Sequence, residues 1–333
     1  MKVMHAVGSY RGLPIEDDQS LVDLELPVPD PRPHDLLVAV EAVSVNPVDA
    51  KMRASLDPSD EPTVLGFDAV GTVTAIGDAV QRFAVGDRVY YSGDNGRQGS
   101  NAKFQAVDER IVGHAPTSLS AGDAAAMPLT TIVAWEALFQ RLRLTADDTG
   151  TLLVVGASGG VGSIVIQLVK QRTGLRVIGT ASRPDSQEWS RRMGTDLTVD
   201  HSGDLVGAVL DAAPDGVDAV FSTHSHGMVD AFSRMVRPFG QIVAIDELGD
   251  DSIDPLKPKS IAWHWELMFT RPSTGYDLLS QGLLLDEAAT LFDSGALKTT
   301  ATTTIHGFTA ENLRKAHALV EHGGSQGKVV VVR

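Results

Sequence analysis

Cysteine is absent from the 333-residue chain. Without thiols the protein can form no disulfide, cannot use a cysteine nucleophile and cannot bind zinc through thiolate ligands. The absence also fits a reducing compartment, so we expect a cytoplasmic protein. Cysteine usage therefore excludes several kinds of catalytic and structural site before any motif is considered.

Basic residues are scarce, since 28 lysines and arginines face 43 aspartates and glutamates and give a net charge of −15. A surface this acidic repels phosphate backbones and anionic lipids, so neither a nucleic-acid partner nor a membrane partner is expected. The sequence also lacks any run of about 18 apolar residues that could span a membrane. Its first residues lack the apolar segment of a secretory signal peptide.

The first 120 residues are typical of β structure. Apolar and more polar residues alternate in LLVAVEAVSVN (36–46), as in a half-buried strand, and short apolar runs follow at about 69–76 and 85–91. Prolines at every second position from Pro27 to Pro33 indicate an extended connection. Many short strands with glycine turns predict a barrel or sandwich.

From about residue 120 helices and strands alternate, and the length suggests two domains. A helix is predicted over Pro128–Leu142, and TLLVVGA (151–157) is a continuous apolar run, typical of a parallel strand covered on both faces. Helical patterns separate this strand from later ones, and the chain is predicted to be helical again from about 275. The alternation predicts an α/β fold with a doubly wound parallel sheet. The later strands are predicted at RVIGTA (176–181), DAVFST (218–223), QIVAID (241–246) and GKVVVVR (327–333).

The segment GASGGVG (156–162) follows the apolar run 151–157 and opens an amphipathic helix that starts near Gly160. Glycines in this context permit a tight turn and a close approach of the backbone to a pyrophosphate, whose charge the free N–H groups of the helix bind. The motif predicts a dinucleotide site, with a purely structural turn as the alternative. The predicted contacts are Gly156, Ser158, Gly159, Gly160, Val161 and Gly162.

The end of the second strand indicates which dinucleotide is bound. NAD-specific proteins usually carry Asp or Glu there to bind the ribose 2′-hydroxyl, whereas this segment reads Thr180, Ala181, Ser182, Arg183. A hydroxyl and a guanidinium suit a 2′-phosphate, so Thr180, Ser182 and Arg183 favour NADPH over NADH. The alternative for Arg183 is a solvated turn residue.

With these features the chain resembles the medium-chain dehydrogenase/reductase superfamily, closest to its quinone oxidoreductase branch and the group called zinc-type alcohol dehydrogenase-like. The resemblance implies a GroES-like catalytic domain built from residues 1–123 and 271–333, and a Rossmann domain inserted at 124–270, with the active site in the cleft between them. It also implies a homodimer formed through the cofactor domains. The matching segments run along nearly the whole chain: VSVNPVDAKMR (43–53), VLGFDAVGTV (64–73), GDRVYYSG (86–93), PLTTIVAWEALF (128–139), GASGGVG (156–162), TASRPDSQEW (180–189), HWELMFTR (264–271) and GKVVVV (327–332).

The same resemblance argues against zinc. The zinc-containing relatives carry a catalytic Cys where this chain has Asn46, and a Gly-His-Glu segment where it reads Gly66-Phe67-Asp68. Their third zinc ligand is also normally Cys, and four Cys hold their structural zinc. We therefore expect this chain to have neither the catalytic nor the structural zinc site, and no other metal. His224 and His226 follow the predicted strand 218–223, and we expect loop histidines near the cofactor rather than metal ligands.

The family motifs imply three candidate catalytic residues. Asn46 is expected to donate from its amide to a substrate oxygen or to fix the nicotinamide, with a turn residue as the alternative. Lys51 is expected either to donate to an oxyanion or to form a structural ion pair with Asp49, and the ion pair is favoured. Tyr90 and Tyr91 end a strand and point oppositely, so one is expected to face the substrate, and Tyr91 is taken as the candidate.

Thr131 matches a position that often contacts the nicotinamide side in such enzymes, with a hydrogen bond back along its helix as the alternative. Trp265, Met268 and Phe269 resemble residues that close the pocket or line the dimer contact, with ordinary core packing as the alternative.

Without a metal, hydride must move to a carbon that is already electrophilic, as in a quinone or an α,β-unsaturated carbonyl. The expected function is therefore that of an NADPH-dependent, zinc-independent oxidoreductase with such a small molecule as its substrate. One alternative is an alcohol or aldehyde dehydrogenase with an atypical or absent zinc site. Another is a non-catalytic, NADPH-binding redox sensor.

Overall fold

The structure is a computed structural model that describes residues 2–323 and 326–333. The chain divides into two compact units. The first unit holds the residues up to Ile132 together with Phe269–Arg333, and the second unit is Val133–Met268. Within the described ranges, no helix is long and apolar enough to cross a membrane.

Strands and helices are numbered in chain order. The strands are β1 (Val3–Ser9), β2 (Val22–Pro27), β3 (Asp35–Val45), β4 (Thr63–Val64), β5 (Asp68–Ile76), β6 (Arg88–Ser92), β7 (Phe104–Asp108), β8 (Val112–His114), β9 (Thr151–Val155), β10 (Arg176–Thr180), β11 (Leu197–Val199), β12 (Val217–Ser222), β13 (Val236–Ala244), β14 (Ala262–Trp265), β15 (Ala301–His306) and β16 (Lys328–Val332). The helices are α1 (Pro47–Ala54), α2 (Ala121–Ala125), α3 (Pro128–Trp135), α4 (Gly160–Arg172), α5 (Pro184–Met193), α6 (Leu205–Ala212), α7 (Val229–Met235), α8 (Thr270–Thr274), α9 (Leu278–Asp293) and α10 (Ala310–Glu321). Shorter turns lie at Glu109–Ile111, Glu136–Arg141 and Asp254–Lys259.

The first unit is built around β3. One edge of β3 pairs antiparallel with β5, and the other pairs with β7 along its first half and with β16 along its second half. The whole sheet has the order β15-β16-β3-β5-β6-β8, with β7 beside β3, and a separate small sheet has the order β2-β1-β4. The predicted alternation is confirmed over residues 36–42, where buried residues such as Val38 and Ala42 alternate with half-buried ones, and the second half of β3 is buried throughout.

The second unit is a parallel sheet of six strands in the order β11-β10-β9-β12-β13-β14. The apolar run predicted as a doubly covered strand forms β9 in the interior of this sheet, and Leu152, Leu153 and Val154 are fully buried. Helices connect the strands, as the alternation predicted. The expected fold class, a β-rich GroES-like region with a doubly wound parallel sheet, is confirmed.

One predicted element differs from the observed one, and a strand near the end of the chain was not predicted. The helix predicted over Pro128–Leu142 is α-helical only to Trp135 and continues as a π-helical turn over Glu136–Arg141. The strand β15 was missed, because ATTTIH alternates only between exposed and half-buried positions and has no apolar face. It forms because it pairs in parallel with β16 at the end of the sheet.

The helix α10 buries a histidine completely. His317 is 0% exposed, and neither ring nitrogen has a hydrogen-bond partner among the residues that the structure describes. Burial, with a smaller effect from the nearby charge of Arg53, lowers the pKa of His317 from 6.5 to about 3. The folded state therefore holds this ring neutral, whereas the unfolded chain protonates it below about pH 6.5.

We expect the stability supplied by neutral His317 to be complete above pH 6.5 and to be lost as the pH falls toward 3. Between pH 6.5 and pH 5 the wild-type protein should lose about 2 kcal/mol of unfolding free energy that His317→Leu does not lose, since each pH unit is worth about 1.4 kcal/mol. Urea titrations at several pH values measure this difference, and His201→Leu, at an exposed position, is the control. An identical pH dependence in wild type and His317→Leu would contradict the assignment.

Candidate functional site

A tight turn joins β9 to α4 in the second unit, and two glycines make it possible. Gly156 has φ +81°, and a Cβ atom there would lie 2.1 Å from Thr223 Oγ1. A Cβ atom on Gly162 would lie 2.3 Å from the carbonyl oxygen of Gly156. The Gly159 N–H donates to that same carbonyl at 3.1 Å and closes the turn. Side chains at positions 156 and 162 are therefore excluded sterically.

The N-terminus of α4 lies open at this turn. Gly159 is the N-cap residue, and no capping side-chain hydrogen bond forms at this helix start among the described residues. Ser158, Gly159, Gly160 and Val161 are half-buried, so their backbone is accessible in part. An uncapped helix start with this geometry is suited to a phosphate group, because its first N–H groups have no partner within the helix.

The end of β10 lies beside the same turn. Thr180 is buried, and its Oγ1 accepts a hydrogen bond from the Gly156 N–H at 3.1 Å, so Thr180 braces the turn. Ser182 is half-buried and Arg183 is exposed, with Arg183 Nη2 3.4 Å from Ser186 Oγ. The structure thus brings the predicted phosphate and ribose contacts together at one end of the parallel sheet.

A polar network that the sequence analysis missed fixes the neighbouring loop after β12. The Ser225 hydroxyl donates to Asp246 Oδ1 at 2.6 Å, and its oxygen lies 2.9 Å from Ser222 Oγ, whose hydroxyl can donate to it. These bonds tie the loop to the residues that follow β13. His224 Nδ1 lies 2.7 Å from Thr223 Oγ1, and His226 Nδ1 lies 2.9 Å from the Leu248 carbonyl. Two Ser residues and a distant Asp carry no local pattern, which is why this network was not predicted.

In the first unit, Asn46 belongs to a buried group of polar side chains, which we call the ammonium cluster: Asn46, Asp49, Asp68 and Lys328. Asn46 Nδ2 donates to Asp68 Oδ2 at 2.9 Å, and Lys328 Nζ donates to Asn46 Oδ1 and to Asp68 Oδ2, the latter at 3.3 Å. All four residues are at most 5% exposed. Both ends of the Asn46 amide are therefore bonded inside the protein, and Asn46 also precedes α1 as its N-cap.

Asp68 connects the ammonium cluster to α3. Its Oδ1 accepts a hydrogen bond from the Leu129 N–H, in the first turn of the helix, at 2.7 Å. A carboxylate at a helix start satisfies an N–H that has no helical partner and complements the helix dipole. Thr131 follows two residues later and is fully buried, and within the described part of the chain its hydroxyl has no hydrogen-bond partner. It is Thr130, not Thr131, that bonds back along the helix.

The favoured ion pair between Asp49 and Lys51 does not form, and that expectation is corrected. Asp49 is buried and accepts a hydrogen bond from the Asn46 N–H at 2.7 Å, whereas Lys51 is exposed. Residues two apart on a helix do not share a face, so α1 directs the two side chains apart. Burial, with the nearby charge of Asp68, raises the pKa of Asp49 to about 7.

The tyrosines at the end of β6 point oppositely, as expected, but both are fully buried. Tyr90 donates to the Leu285 carbonyl at 2.6 Å, and Tyr91 donates to Gln105 Oε1 at 2.8 Å. Burial raises the pKa of Tyr91 far above its ordinary value. Both faces of this strand are covered, so Tyr91 has an internal partner rather than the substrate-facing position expected for it.

The residues at the family's zinc positions do not fit a zinc ion. Asn46 and Asp68 are bonded to each other and to a lysine ammonium. Phe67, where a zinc relative carries His, is buried with its ring centroid 4.7 Å from that of Phe269. Among the described residues, no three His, Cys, Asp or Glu side chains are grouped as a metal site requires.

Two family models match the chain. The alcohol dehydrogenase GroES-like domain matches residues 32–136, and the zinc-binding dehydrogenase domain matches residues 160–265. A zinc-type alcohol dehydrogenase-like protein of Staphylococcus aureus is 38% identical over 98% of this chain and 99% of its own length. An NADPH-dependent alkenal/one oxidoreductase of Arabidopsis thaliana chloroplasts is 32% identical over 66% of this chain and 56% of its own length.

Among solved structures, a Rhizobium etli protein assigned by name to the zinc-dependent alcohol dehydrogenases superposes with a TM-score of 0.96. It is 45% identical to this chain, and the match covers 100% of this chain and 99% of that one. The fold and the order of its elements are therefore shared over the full length.

We expect Gly162→Ala to destabilise the protein much more than Gly159→Ala because, of the two positions, only 162 lacks space for a Cβ atom. Gly162→Ala places a Cβ atom against backbone and should lower the unfolding free energy by about 2 kcal/mol. Gly159 has φ −73°, and its added Cβ would meet only the Gly156 oxygen, at 3.4 Å, so Gly159→Ala should change stability by less than about 1 kcal/mol. Urea unfolding measures both, and equal losses would contradict the geometry.

Proposed function

Because the chain belongs to the medium-chain dehydrogenase/reductase superfamily of oxidoreductases, we propose that it is an NADPH-dependent reductase that acts without zinc on a quinone or an α,β-unsaturated carbonyl. The observation that carries this proposal is the set of side chains at the zinc positions. Asn46, Phe67 and Asp68 provide no thiolate or imidazole there, and a lysine ammonium already bonds two of them.

Without a Lewis acid, only hydrogen-bond donors can polarise a carbonyl, so a substrate that is already electrophilic suits this site better than an unactivated carbonyl. The β-carbon of an α,β-unsaturated carbonyl and the ring of a quinone meet this requirement. The Arabidopsis relative that shares 32% identity is named as an alkenal/one oxidoreductase, which supports the same substrate class.

The turn between β9 and α4 fits a dinucleotide, because its glycines leave the space that a Cβ atom would fill and α4 begins uncapped. Bound NADPH would supply the hydride for the reduction. Ser158, Gly160 and Val161 would bind the pyrophosphate with backbone N–H groups. Gly156, Gly159 and Gly162 would shape the turn around it, since the Gly156 N–H donates to Thr180 and the Gly159 N–H donates to the Gly156 carbonyl. Thr180 braces the turn, and Ser182 and Arg183 would bind the 2′-phosphate.

In the first unit we propose Thr131 as the nicotinamide contact, since its buried hydroxyl has no protein partner. Asn46 would act through its fixed position in the ammonium cluster, because both ends of its amide are occupied. Lys51, exposed on α1, stays a candidate donor to a substrate oxygen. Tyr91 is left outside the proposed machinery, because its hydroxyl is bonded to Gln105.

We also propose a homodimer formed through β14. Among the described residues, β14 is the last strand of the parallel sheet and pairs with β13 alone. Trp265 and Leu267 beside this edge are 52% and 58% exposed, which is unusual for large apolar side chains at a strand edge. Met268 and Phe269 are instead buried, as core residues are.

Arg183→Ala should weaken NADPH binding by about 10- to 100-fold and leave NADH binding within about twofold, because only NADPH carries the 2′-phosphate that the guanidinium would bind. Fluorescence titration with each cofactor gives the two dissociation constants. Arg191→Ala is the matched control, since Arg191 is exposed on α5 and pairs with Glu188. Equal weakening of both cofactors would remove Arg183 from the 2′-phosphate site.

The reaction class is tested by NADPH oxidation with 1,4-benzoquinone, trans-2-hexenal and hexanal. Hexenal and hexanal differ by the conjugated double bond, so we expect turnover with the quinone and hexenal and less than about 1% of that rate with hexanal. Comparable turnover of hexanal would favour an alcohol or aldehyde dehydrogenase. Tight NADPH binding without turnover of any of the three would favour a redox sensor, and either result would contradict the proposal.

A further inference from the structure

The ammonium cluster contains a cation supplied by the chain itself. Lys328 is the first residue of β16 and is only 5% exposed. Its Nζ lies 3.2 Å from the Val45 carbonyl oxygen and 3.3 Å from Asp68 Oδ2, and it also donates to Asn46 Oδ1. An ammonium has three N–H donors, and here three oxygens accept them.

The partner carboxylate is equally well bonded. Asp68 is 0% exposed and accepts from the Leu129 N–H, from Asn46 Nδ2 and from Lys328 Nζ. Burial raises the pKa of Asp68, and the charge of Lys328 with these hydrogen bonds opposes the rise. A buried carboxylate without a cation would be strongly unfavourable, so removing one member of the pair would leave the other as an unpaired buried charge.

This cation bonds Asn46, which stands at the catalytic Cys position of the zinc-containing relatives, and Asp68, which follows the position of their His. Asn46 and Asp68 both point at Lys328 Nζ, from the start of α1 and the start of β5. The orientation of the Asn46 amide follows from the arrangement, because its oxygen must face the ammonium and its Nδ2 must face the carboxylate. Asp68 in turn bonds the start of α3, two residues before Thr131.

We propose that Lys328 takes the place of the metal in this protein. Its ammonium neutralises Asp68 and fixes the amide of Asn46, and through Asp68 it holds the first turn of α3. Lys328 is thus a positioning residue that acts through Asn46 and Asp68. Only the kinetic readout of its test rests on the proposed reductase function, while the stability and zinc readouts do not.

A double-mutant cycle tests the charge pairing. Lys328→Met should lower the melting temperature by about 10 °C because it strands Asp68, and Asp68→Asn combined with Lys328→Met should melt within about 3 °C of wild type. Lys170→Met is the control, since Lys170 forms an exposed pair with Asp196 at 2.9 Å and should shift melting by less than about 2 °C. If Lys328→Met does not fold, the melting temperature of the double variant alone still tests the pairing. A double variant that melts no higher than the single one, or that fails to fold, would overturn the proposal.

Zinc binding and kinetics supply two further readouts. Wild-type protein dialysed against zinc and then buffer should retain less than about 0.1 zinc per chain, because the ammonium fills the site. In the refolded double variant, kcat for trans-2-hexenal should fall about tenfold with little change in the KM for NADPH. The Asn46 amide loses its ammonium partner, whereas the amide oxygen introduced by Asp68→Asn can still accept from the Leu129 N–H. One zinc per chain in wild type that Asp68→Asn abolishes would overturn the proposal, as would an unchanged kcat in the double variant. Absence of hexenal turnover in wild type would count against the proposed function alone.

Discussion

A buried ion pair between Lys328 and Asp68 is the interaction on which the site in the first unit depends. It joins the first residue of β16 to the first residue of β5, and through Asp68 it reaches the start of α3. The same ammonium also bonds Asn46 at the start of α1. One ammonium thus joins four elements that are distant in sequence. The arrangement of these elements depends on the pair, and losing either member would leave an uncompensated buried charge.

The parts of the protein that depend on local rules could be predicted from the sequence. The apolar run before GASGGVG forms β9, and the helix starts at Gly160 as expected, because strand burial, glycine turns and helical periodicity are written in neighbouring residues. The α/β fold is confirmed by the parallel sheet of the second unit, and the family, predicted from motifs along the chain, is confirmed by its relatives. The cofactor contacts remain predictions, although the structure brings their residues together.

The parts that depend on distant residues could not be predicted. Lys328 lies 260 positions from Asp68, and nothing around GKVVVV indicates which carboxylate it meets. Alternation correctly predicted that Tyr90 and Tyr91 point oppositely, yet not that both faces of their strand are covered. The missing cysteines excluded zinc sites with thiolate ligands, and only the folded chain shows the ammonium bonded to Asn46 and Asp68.

The central claim, a reductase that works without a metal, is tested most directly by measuring metal content and turnover on the same sample. The protein is dialysed exhaustively against a strong chelator, its metals are quantified by mass spectrometry, and NADPH oxidation with trans-2-hexenal is followed. We predict less than about 0.1 metal ion per chain with unchanged kcat. Activity that disappears with chelation and returns in proportion to added zinc would contradict it.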